Sequence, residues 1–122
     1  MLHAKTKKII FVEDDYAILD VASFIFEKAG YCLAIFGTAK SMLNSNFLDA
    51  DIFILDKQLP DIDGVDLCRL LKADSRIMHV PVLMLSANPQ INMLAPEAGA
   101  DGVLEKPFEI KELLSIIEQL TS

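Results

Sequence analysis

Four polar segments of this sequence carry side chains that could bind a phosphate group or a metal ion. Each one lies at the end of an apolar run, and the four are Glu13-Asp14-Asp15, Asp56, Ser86-Ala87 and Lys106-Pro107. If the apolar runs are neighbouring parallel strands, these segments meet at one edge of a sheet, because the carboxyl ends of parallel strands lie together. The edge would then hold several carboxylates, a hydroxyl and an ammonium group.

Asp14 and Asp56 would lie side by side on adjacent strands. Two like charges about 4 Å apart repel by about 4 kcal/mol at an effective dielectric constant of 20. A bound divalent cation, a lysine or a raised carboxylate pKa could each offset that repulsion. An all-oxygen cluster with few protein ligands favours Mg²⁺, which keeps several waters and often binds phosphate oxygens as well.

Such a set could form an aspartyl-phosphate. A carboxylate can attack phosphorus, while Mg²⁺ and Lys106 neutralise charge on the phosphoryl oxygens and the Ser86 hydroxyl donates to one of them. The simpler alternative for the acidic segment is a helix cap, since acidic residues favour helix N-termini. We expect that role for Asp15, and metal binding for Glu13 and Asp14.

Short apolar runs alternate with amphipathic stretches, and together they must position these groups. Strands are predicted at residues 8–12, 31–36, 51–56, 80–85 and 102–104. Some of these runs are continuously apolar, which is typical of parallel strands covered on both faces. We therefore expect an α/β fold with a five-stranded parallel sheet in the order 2-1-3-4-5, flanked by five helices.

The helices are predicted less uniformly than the strands. The first ends before Gly30, and its predicted core stripe consists of Ile18, Val21, Ala22 and Ile25. The others are predicted at residues 38–46, 64–73, 89–98 and 108–120. Pro96 would remove a backbone donor and clash with the preceding turn, so the regular part of the fourth helix is expected to end by residue 94.

Length and composition limit the remaining possibilities. A chain of 122 residues, 52% of them hydrophobic, predicts a single domain over residues 1–122. No apolar run reaches the roughly 18–20 residues of a membrane span, and the run behind the basic N-terminus is too short for a signal peptide, so a cytoplasmic protein is expected. Cys32 and Cys68 are expected to be buried hydrophobes, and His3 and His79 to lie at the surface.

The charge balance predicts that the chain itself does not bind nucleic acid. The formal net charge is −7, with 18 acidic and 11 basic residues. The only basic cluster is Lys5, Lys7 and Lys8, whereas binding to a phosphate backbone needs a basic surface. Lys57, Asp61 and Asp63, in the segment after Asp56, are expected to be solvated loop charges.

Taken in order, the motifs resemble the receiver domains of two-component response regulators, over essentially the whole chain. The matching segments are residues 8–15, residues 54–64 with their aspartate, three residues, proline, three residues, glycine spacing, Ser86-Ala87, residues 99–101 and residues 106–108. The resemblance implies a flavodoxin-like receiver fold. It also implies a partner, a sensor histidine kinase or a histidine phosphotransfer protein, that supplies the phosphoryl group from a phosphohistidine.

The resemblance further implies a role for each site residue. Asp56 would be the phosphoacceptor, Asp14 a direct Mg²⁺ ligand and Glu13 an acidic residue that acts through water. The remaining roles fall to the Gln58 backbone carbonyl as a further ligand, to Ser86 and Lys106 as contacts of the phosphoryl group, and to a cis Lys106–Pro107 bond. Such a chain catalyses only its own phosphorylation and dephosphorylation and is not an enzyme acting on others.

The sequence departs from the family at two positions. Val103 stands where the family usually has an aromatic residue that reports phosphorylation, so that coupling is not expected here. Together with Pro96, it predicts an irregular face formed by the fourth helix, the fifth strand and the fifth helix. Additional apolar residues on the first helix, Leu19, Phe24 and Phe26, could offer a docking surface for the phosphodonor.

Three alternatives stay open from the sequence. A phosphate-independent pseudo-receiver would keep the fold as an interaction module. An aspartyl-phosphate hydrolase of another class commonly needs a second acid at the position of Gln58, and a flavin-binding relative would need a Ser/Thr-rich phosphate loop after the first strand. Because the sequence ends shortly after the fifth helix, no output domain is expected within it, and its output partner is not identified.

Overall fold

A computed structural model describes residues 6–122 of the protein. In that part of the chain, five strands and five helices alternate along the sequence. The strands are β1 (Lys8–Val12), β2 (Cys32–Phe36), β3 (Ile52–Asp56), β4 (Val82–Ser86) and β5 (Gly102–Glu105). The helices are α1 (Tyr16–Lys28), α2 (Ala39–Leu43), α3 (Gly64–Ala73), α4 (Ile91–Glu97) and α5 (Ile110–Thr121).

The five strands form one parallel sheet in the order β2-β1-β3-β4-β5, so the predicted fold class is confirmed. The register aligns the carboxyl ends of the strands. Val12 pairs with Leu55 of β3, and Ser86 pairs with Glu105 of β5. The residues that end these strands, or follow them directly, therefore lie along one edge of the sheet.

The sheet is covered on both faces, which explains the continuously apolar strands. On one face Ile9, Phe11 and Ile54 pack with buried residues of α1 and α5. On the other face Ile10 and Phe53 pack with buried residues of α2, α3 and α4. Because successive side chains of a strand point to opposite faces, neighbouring residues of β1 and β3 belong to two different cores.

The predicted core stripe of α1 is wrong in part. Leu19, Ala22 and Phe26 are the buried residues of this helix, whereas Val21 is 47% exposed. The three buried residues share one helix face at spacings of three and four, and the Phe26 ring stacks on Phe11 of β1 at 6.3 Å between centroids. Apolar residues are so frequent in this helix that their spacing fits two different buried faces. The spacing alone therefore does not identify the one that packs on the sheet.

The predicted early end of α4 is also wrong. The helix continues to Glu97 with Pro96 inside its last turn. A proline at that place forfeits one hydrogen bond, and the turn still closes because the Ala98 N–H lies 3.2 Å from the Leu94 carbonyl oxygen and 3.1 Å from that of Ala95. The face formed by α4, β5 and α5 was expected to be irregular, but it contains a regular α4 helix.

Some of the expectations about the exposure of single residues are confirmed and others are wrong. Cys68 is buried, but Cys32 is exposed, because β2 is an edge strand of the sheet. His79 is exposed as predicted, while His3 and Lys5 lie outside the described residues. Within residues 6–122, no helix combines the length and the apolar character needed to cross a membrane.

Asp61 ties the segment after β3 to the start of α2. Its carboxylate oxygens accept hydrogen bonds from the backbone N–H groups of Ala39 (3.0 Å) and Lys40 (2.8 Å). The Lys40 bond is the main cause that lowers the pKa of Asp61 below its ordinary value. Since the folded-state pKa is depressed, the stabilisation is present at neutral pH and is lost as the pH falls through that pKa.

We expect Asp61→Ala to lower the free energy of unfolding by about 1 kcal/mol at pH 7, the typical cost of a lost helix cap. The difference from the parent should shrink as the pH falls below the ordinary aspartate pKa, because the unfolded chain then binds a proton that the folded carboxylate does not. Urea unfolding between pH 3 and pH 7 measures both effects. Asp20→Ala, at an exposed position of α1, is the control for the lost charge; a deficit of Asp61→Ala that stays constant with pH would contradict the assignment.

Candidate functional site

The site residues are held by the strand ends. Asp56 is the last residue of β3 and Ser86 the last of β4. Glu13 directly follows β1, and its N–H donates to the Phe36 carbonyl of β2 (3.0 Å). Lys106 directly follows β5, and its N–H donates to the Ser86 carbonyl (2.8 Å). These backbone hydrogen bonds to neighbouring strands thus fix the positions of the Glu13 and Lys106 backbones, from which the two side chains extend into the site.

Two buried carboxylates share the Lys106 ammonium group. Its Nζ lies 2.7 Å from Oδ1 of Asp56 and 2.8 Å from Oε1 of Glu13. Glu13 is completely buried, and Asp56 is 5% exposed. A single positive charge therefore faces two negative charges in a place that water reaches poorly.

The third acid of the site, Asp14, is exposed. One carboxylate oxygen from each of Glu13, Asp14 and Asp56 lies within 4.8 Å of the other two. The second Glu13 oxygen, Oε2, accepts hydrogen bonds from the Asp14 N–H (3.1 Å) and the Asp15 N–H (3.4 Å). Asp15 caps α1 through the Ala17 N–H (3.0 Å), as predicted.

The close approach of these charged groups, together with their burial, shifts the pKa values of Asp56, Glu13 and Lys106. Burial is the main cause that raises the pKa of Asp56 above its ordinary value; the Lys106 contacts oppose it, and the Asp14 charge adds to it. Burial likewise raises the pKa of Glu13. Burial alone would lower the pKa of Lys106, but its contacts with Asp56 and Glu13 raise it. The ammonium group therefore stays charged, and the two carboxylates favour any additional positive charge.

The donor set fits a hard divalent cation. The three clustered side chains offer only oxygen ligands, and the exposed Asp14 leaves room for water on the open side. Few protein oxygens with retained waters are the coordination that Mg²⁺ prefers. Glu13, Asp14 and Asp56 are the residues that could hold the ion.

A cleft of about 180 Å³ opens beside Asp56 and brings the other predicted residues to it. It is lined by Asp56, Lys57, Gln58, Ser86, Ala87, Asn88 and Lys106. The Ser86 hydroxyl is buried and accepts a hydrogen bond from the Asn88 N–H (3.0 Å). The Lys106–Pro107 peptide bond is cis, as the resemblance implied.

The loop between β3 and α3 contains an ion pair that the sequence analysis missed. Lys57 Nζ lies 2.7 Å from Oδ2 of Asp63, and the two side chains are 19% and 39% exposed. The expectation of a solvated loop charge is therefore wrong for Lys57, whereas Asp61 is exposed as expected. The spacing of the motif indicated a loop here, but no pattern indicated that residues 57 and 63 face each other across it.

Comparison with known proteins finds a family model over most of the chain. Residues 9–118 match the model of the response regulator receiver domain. The DNA-binding dual master transcriptional regulator RpaA of Synechocystis sp. is 38% identical over 117 residues, which cover 93% of this chain and 48% of that protein. The chain thus spans about half the length of this curated relative.

Solved structures show the same fold. A response regulator receiver domain protein from Methanospirillum hungatei JF-1 is 29% identical, with a TM-score of 0.81 and coverage of 94% of this chain and 93% of that one. The receiver domain of the sensor histidine kinase PA1611 from Pseudomonas aeruginosa PAO1 is 24% identical, with a TM-score of 0.81 and coverage of 96% and 98%. That structure is described with a magnesium ion coordinated in its active site cleft.

The predicted exclusion of nucleic acid from the partners is wrong. RpaA is named as a DNA-binding regulator although it shares this receiver sequence over about half its length. The net charge of −7 describes only the residues of this chain. It therefore does not exclude DNA binding by a longer regulator that contains such a segment. RpaA is also named as a transcriptional regulator.

Gly64 lets α3 begin directly against the backbone of Asp56. A Cβ atom at this position would lie 2.1 Å from the Asp56 carbonyl oxygen. We expect Gly64→Ala to lower the free energy of unfolding by at least about 2 kcal/mol, because backbone and not a flexible side chain must move. Gly37→Ala is the matched control, since its Cβ would meet nothing within 4 Å. Denaturant unfolding compares the two; equal stabilities would refute the close contact.

Proposed function

The chain belongs to the family of response regulator receiver domains of two-component systems, and from this premise we propose that it is a phosphorylation switch. Asp56 accepts the phosphoryl group while Mg²⁺ is bound beside it. The observation that carries the proposal is the contact of Lys106 with both Asp56 and Glu13, with the Asp14 carboxylate within 4.8 Å of them. Residues 1–122 form one receiver domain.

The phosphoryl group comes from a phosphohistidine on a sensor histidine kinase or a histidine phosphotransfer protein. A carboxylate oxygen of Asp56 attacks phosphorus, a new P–O bond forms and the P–N bond to the histidine breaks. The leaving imidazole nitrogen keeps the electron pair and takes a proton. Bound Mg²⁺ supplies positive charge that stabilises the phosphoryl oxygens during this transfer.

The residues around Asp56 have separate tasks in this reaction. Lys106 already contacts the attacking carboxylate and pairs with a phosphoryl oxygen after transfer. The Ser86 oxygen accepts the Asn88 N–H, which leaves the hydroxyl hydrogen free to point to a second phosphoryl oxygen. Asp14 and Asp56 would hold the cation directly, Glu13 would act on it through water, and the Gln58 carbonyl would be a further ligand.

The pseudo-receiver alternative has no observation in its favour. Acid, hydroxyl and lysine all lie around one cleft, and an interaction module that never meets phosphate has no need of this arrangement. Receiver chemistry is self-directed, so the chain acts on its own carboxylate and not as an enzyme on other substrates. We include regulation of DNA in its proposed output, since the relative RpaA is named as a DNA-binding regulator.

The experiment that tests the switch uses acetyl phosphate as the phosphodonor, with and without Mg²⁺. We expect the parent to gain the mass of one phosphoryl group only when Mg²⁺ is present, and Asp56→Asn to gain none. Lys106→Met should be phosphorylated much more slowly. Asp20→Asn, at an exposed position of α1 outside the acid cluster, is the control for the loss of a carboxylate. A parent that gains no mass under these conditions would refute the proposed function.

The phosphodonor docks on α1, but the three residues expected from the sequence do not all contribute, because Leu19 and Phe26 are buried and only Phe24 is exposed. Tyr16 and Phe24 of this helix are 80% and 67% exposed. A groove of about 500 Å³ is lined by residues of the same helix and of the segment after β5, among them Ile18, Val21 and Phe108, and Lys106 is part of its lining. An apolar surface that leads directly to the reactive residues suits a helical partner that must bring a phosphohistidine to Asp56.

We expect Phe24→Ala to slow phosphoryl transfer from the cognate kinase by about tenfold, since exposed aromatic residues commonly anchor interfaces. Phosphorylation by acetyl phosphate should not change, because the site itself is untouched. Met93→Ala is the control, as Met93 is 70% exposed on α4. A kinase rate equal to that of the parent would place docking elsewhere.

A further inference from the structure

We propose that the Lys57–Asp63 ion pair is a positioning device for the metal site: it fixes the loop between β3 and α3 that carries the Gln58 carbonyl, the proposed further ligand of the cation. The inference rests on the proposed function, because it assumes a cation at Glu13, Asp14 and Asp56. Neither Lys57 nor Asp63 is assigned a contact with the ion or with phosphate. Both act through the backbone between them.

The two ends of this loop are held together by several contacts. The Lys57–Asp63 ion pair joins the side chains at 2.7 Å. The Gly64 N–H donates to the Lys57 carbonyl at 2.7 Å, and an antiparallel bridge pairs Gln58 with Asp63. Asp63 is in turn anchored to α3, since its Oδ1 accepts the Val65 N–H at 2.8 Å. The loop is thus closed at its base like a short hairpin.

Gln58 lies inside this closed base. Its neighbour Lys57 is fixed on the other side as well, since the Lys57 N–H donates to the Leu85 carbonyl of β4 at 2.9 Å. On the far side Leu59 is partly buried against the core. Rotation of the Gln58–Leu59 peptide would therefore disturb the ion pair, the backbone bridge or the packing of Leu59. Second-sphere contacts of this kind orient the groups that ligate metals.

The charge of Lys57 by itself acts against a bound cation. A lysine next to Asp56 repels Mg²⁺, whereas Asp63 attracts it, so simple electrostatics gives the two residues opposite effects on affinity. A positioning role gives them the same effect, because removal of either partner breaks the same contact. The sign of the change in affinity therefore separates the two explanations.

The experiment is a double-mutant cycle with Mg²⁺ itself as the probe, measured by titration calorimetry at constant ionic strength. We expect Lys57→Met and Asp63→Asn each to weaken Mg²⁺ binding by about three- to tenfold, below the 10- to 100-fold typical of buried second-sphere partners because the pair is partly exposed. The double variant should be no weaker than either single variant. Lys57→Arg should bind nearly as the parent does.

Arg69→Met is the matched control. It removes one positive charge from α3 and breaks an exposed ion pair with Asp66, in which the side chains are 51% and 64% exposed. We expect it to leave Mg²⁺ affinity unchanged or slightly tighter. Asp63→Asn also guards against misfolding, because asparagine is itself a good N-cap and keeps the start of α3.

A second readout needs no metal. In metal-free protein, amide hydrogen exchange at Gly64 should be faster in Lys57→Met than in the parent, and unchanged in Arg69→Met. Tighter Mg²⁺ binding by Lys57→Met with weaker binding by Asp63→Asn would overturn the inference, and so would unchanged affinity in both. If the parent neither binds Mg²⁺ nor gains a phosphoryl group, the proposed function fails too; if the parent does both, only the positioning role fails.

Discussion

One ammonium group between two buried carboxylates governs the arrangement of this molecule. Lys106 contacts Asp56 and Glu13 at less than 3 Å, and the nearby Asp14 leaves the cluster with more negative than positive charge. Buried charges are stable only when partners and hydrogen bonds compensate them. Glu13 has both, since its second oxygen accepts two backbone N–H groups. The balance that remains favours a cation at the open side.

This charge cluster explains why the backbone around it is so tightly held. Asp56 has α3 directly against its carbonyl oxygen, where only a glycine fits, and β4 pairs with the next residue, Lys57. Lys106 is attached to Ser86 through its backbone N–H. Carboxylates that repel each other would separate if their strand ends could move. The sheet register and the Gly64 contact prevent that movement, so the repulsion stays available to attract positive charge.

The sequence was sufficient for the sheet and for the residues at its edge, because each apolar run has clear ends and a parallel sheet brings those ends together. The sequence was insufficient where the residue spacing was compatible with two different packing arrangements. The buried face of α1 depends on the Phe26 contact with Phe11, which no helical period reveals. Pro96 is tolerated because it falls in the last turn of α4, a fact that depends on where the helix begins. Cys32 is exposed because β2 is an edge strand.

The sequence also did not predict side-chain pairs that form across a loop. Lys57 and Asp63 meet because the loop folds back at Gly64, and the spacing alone does not contain that geometry. The partner prediction failed for a different reason. Net charge describes the surface of these 122 residues, whereas the named DNA-binding relative is about twice as long. Charge arguments of this kind apply to the segment in which the charges are counted.

The bond between Lys106 and Glu13 joins residues 93 positions apart in the chain. Contacts of such long range form only when both ends of the domain have folded into the same sheet. A ribosome-bound nascent chain that still lacks β5 therefore has its acidic residues but not the ammonium group that neutralises them. The cluster can therefore form only after β5 has joined the sheet, so a chain that lacks β5 cannot present the assembled acceptor to a partner.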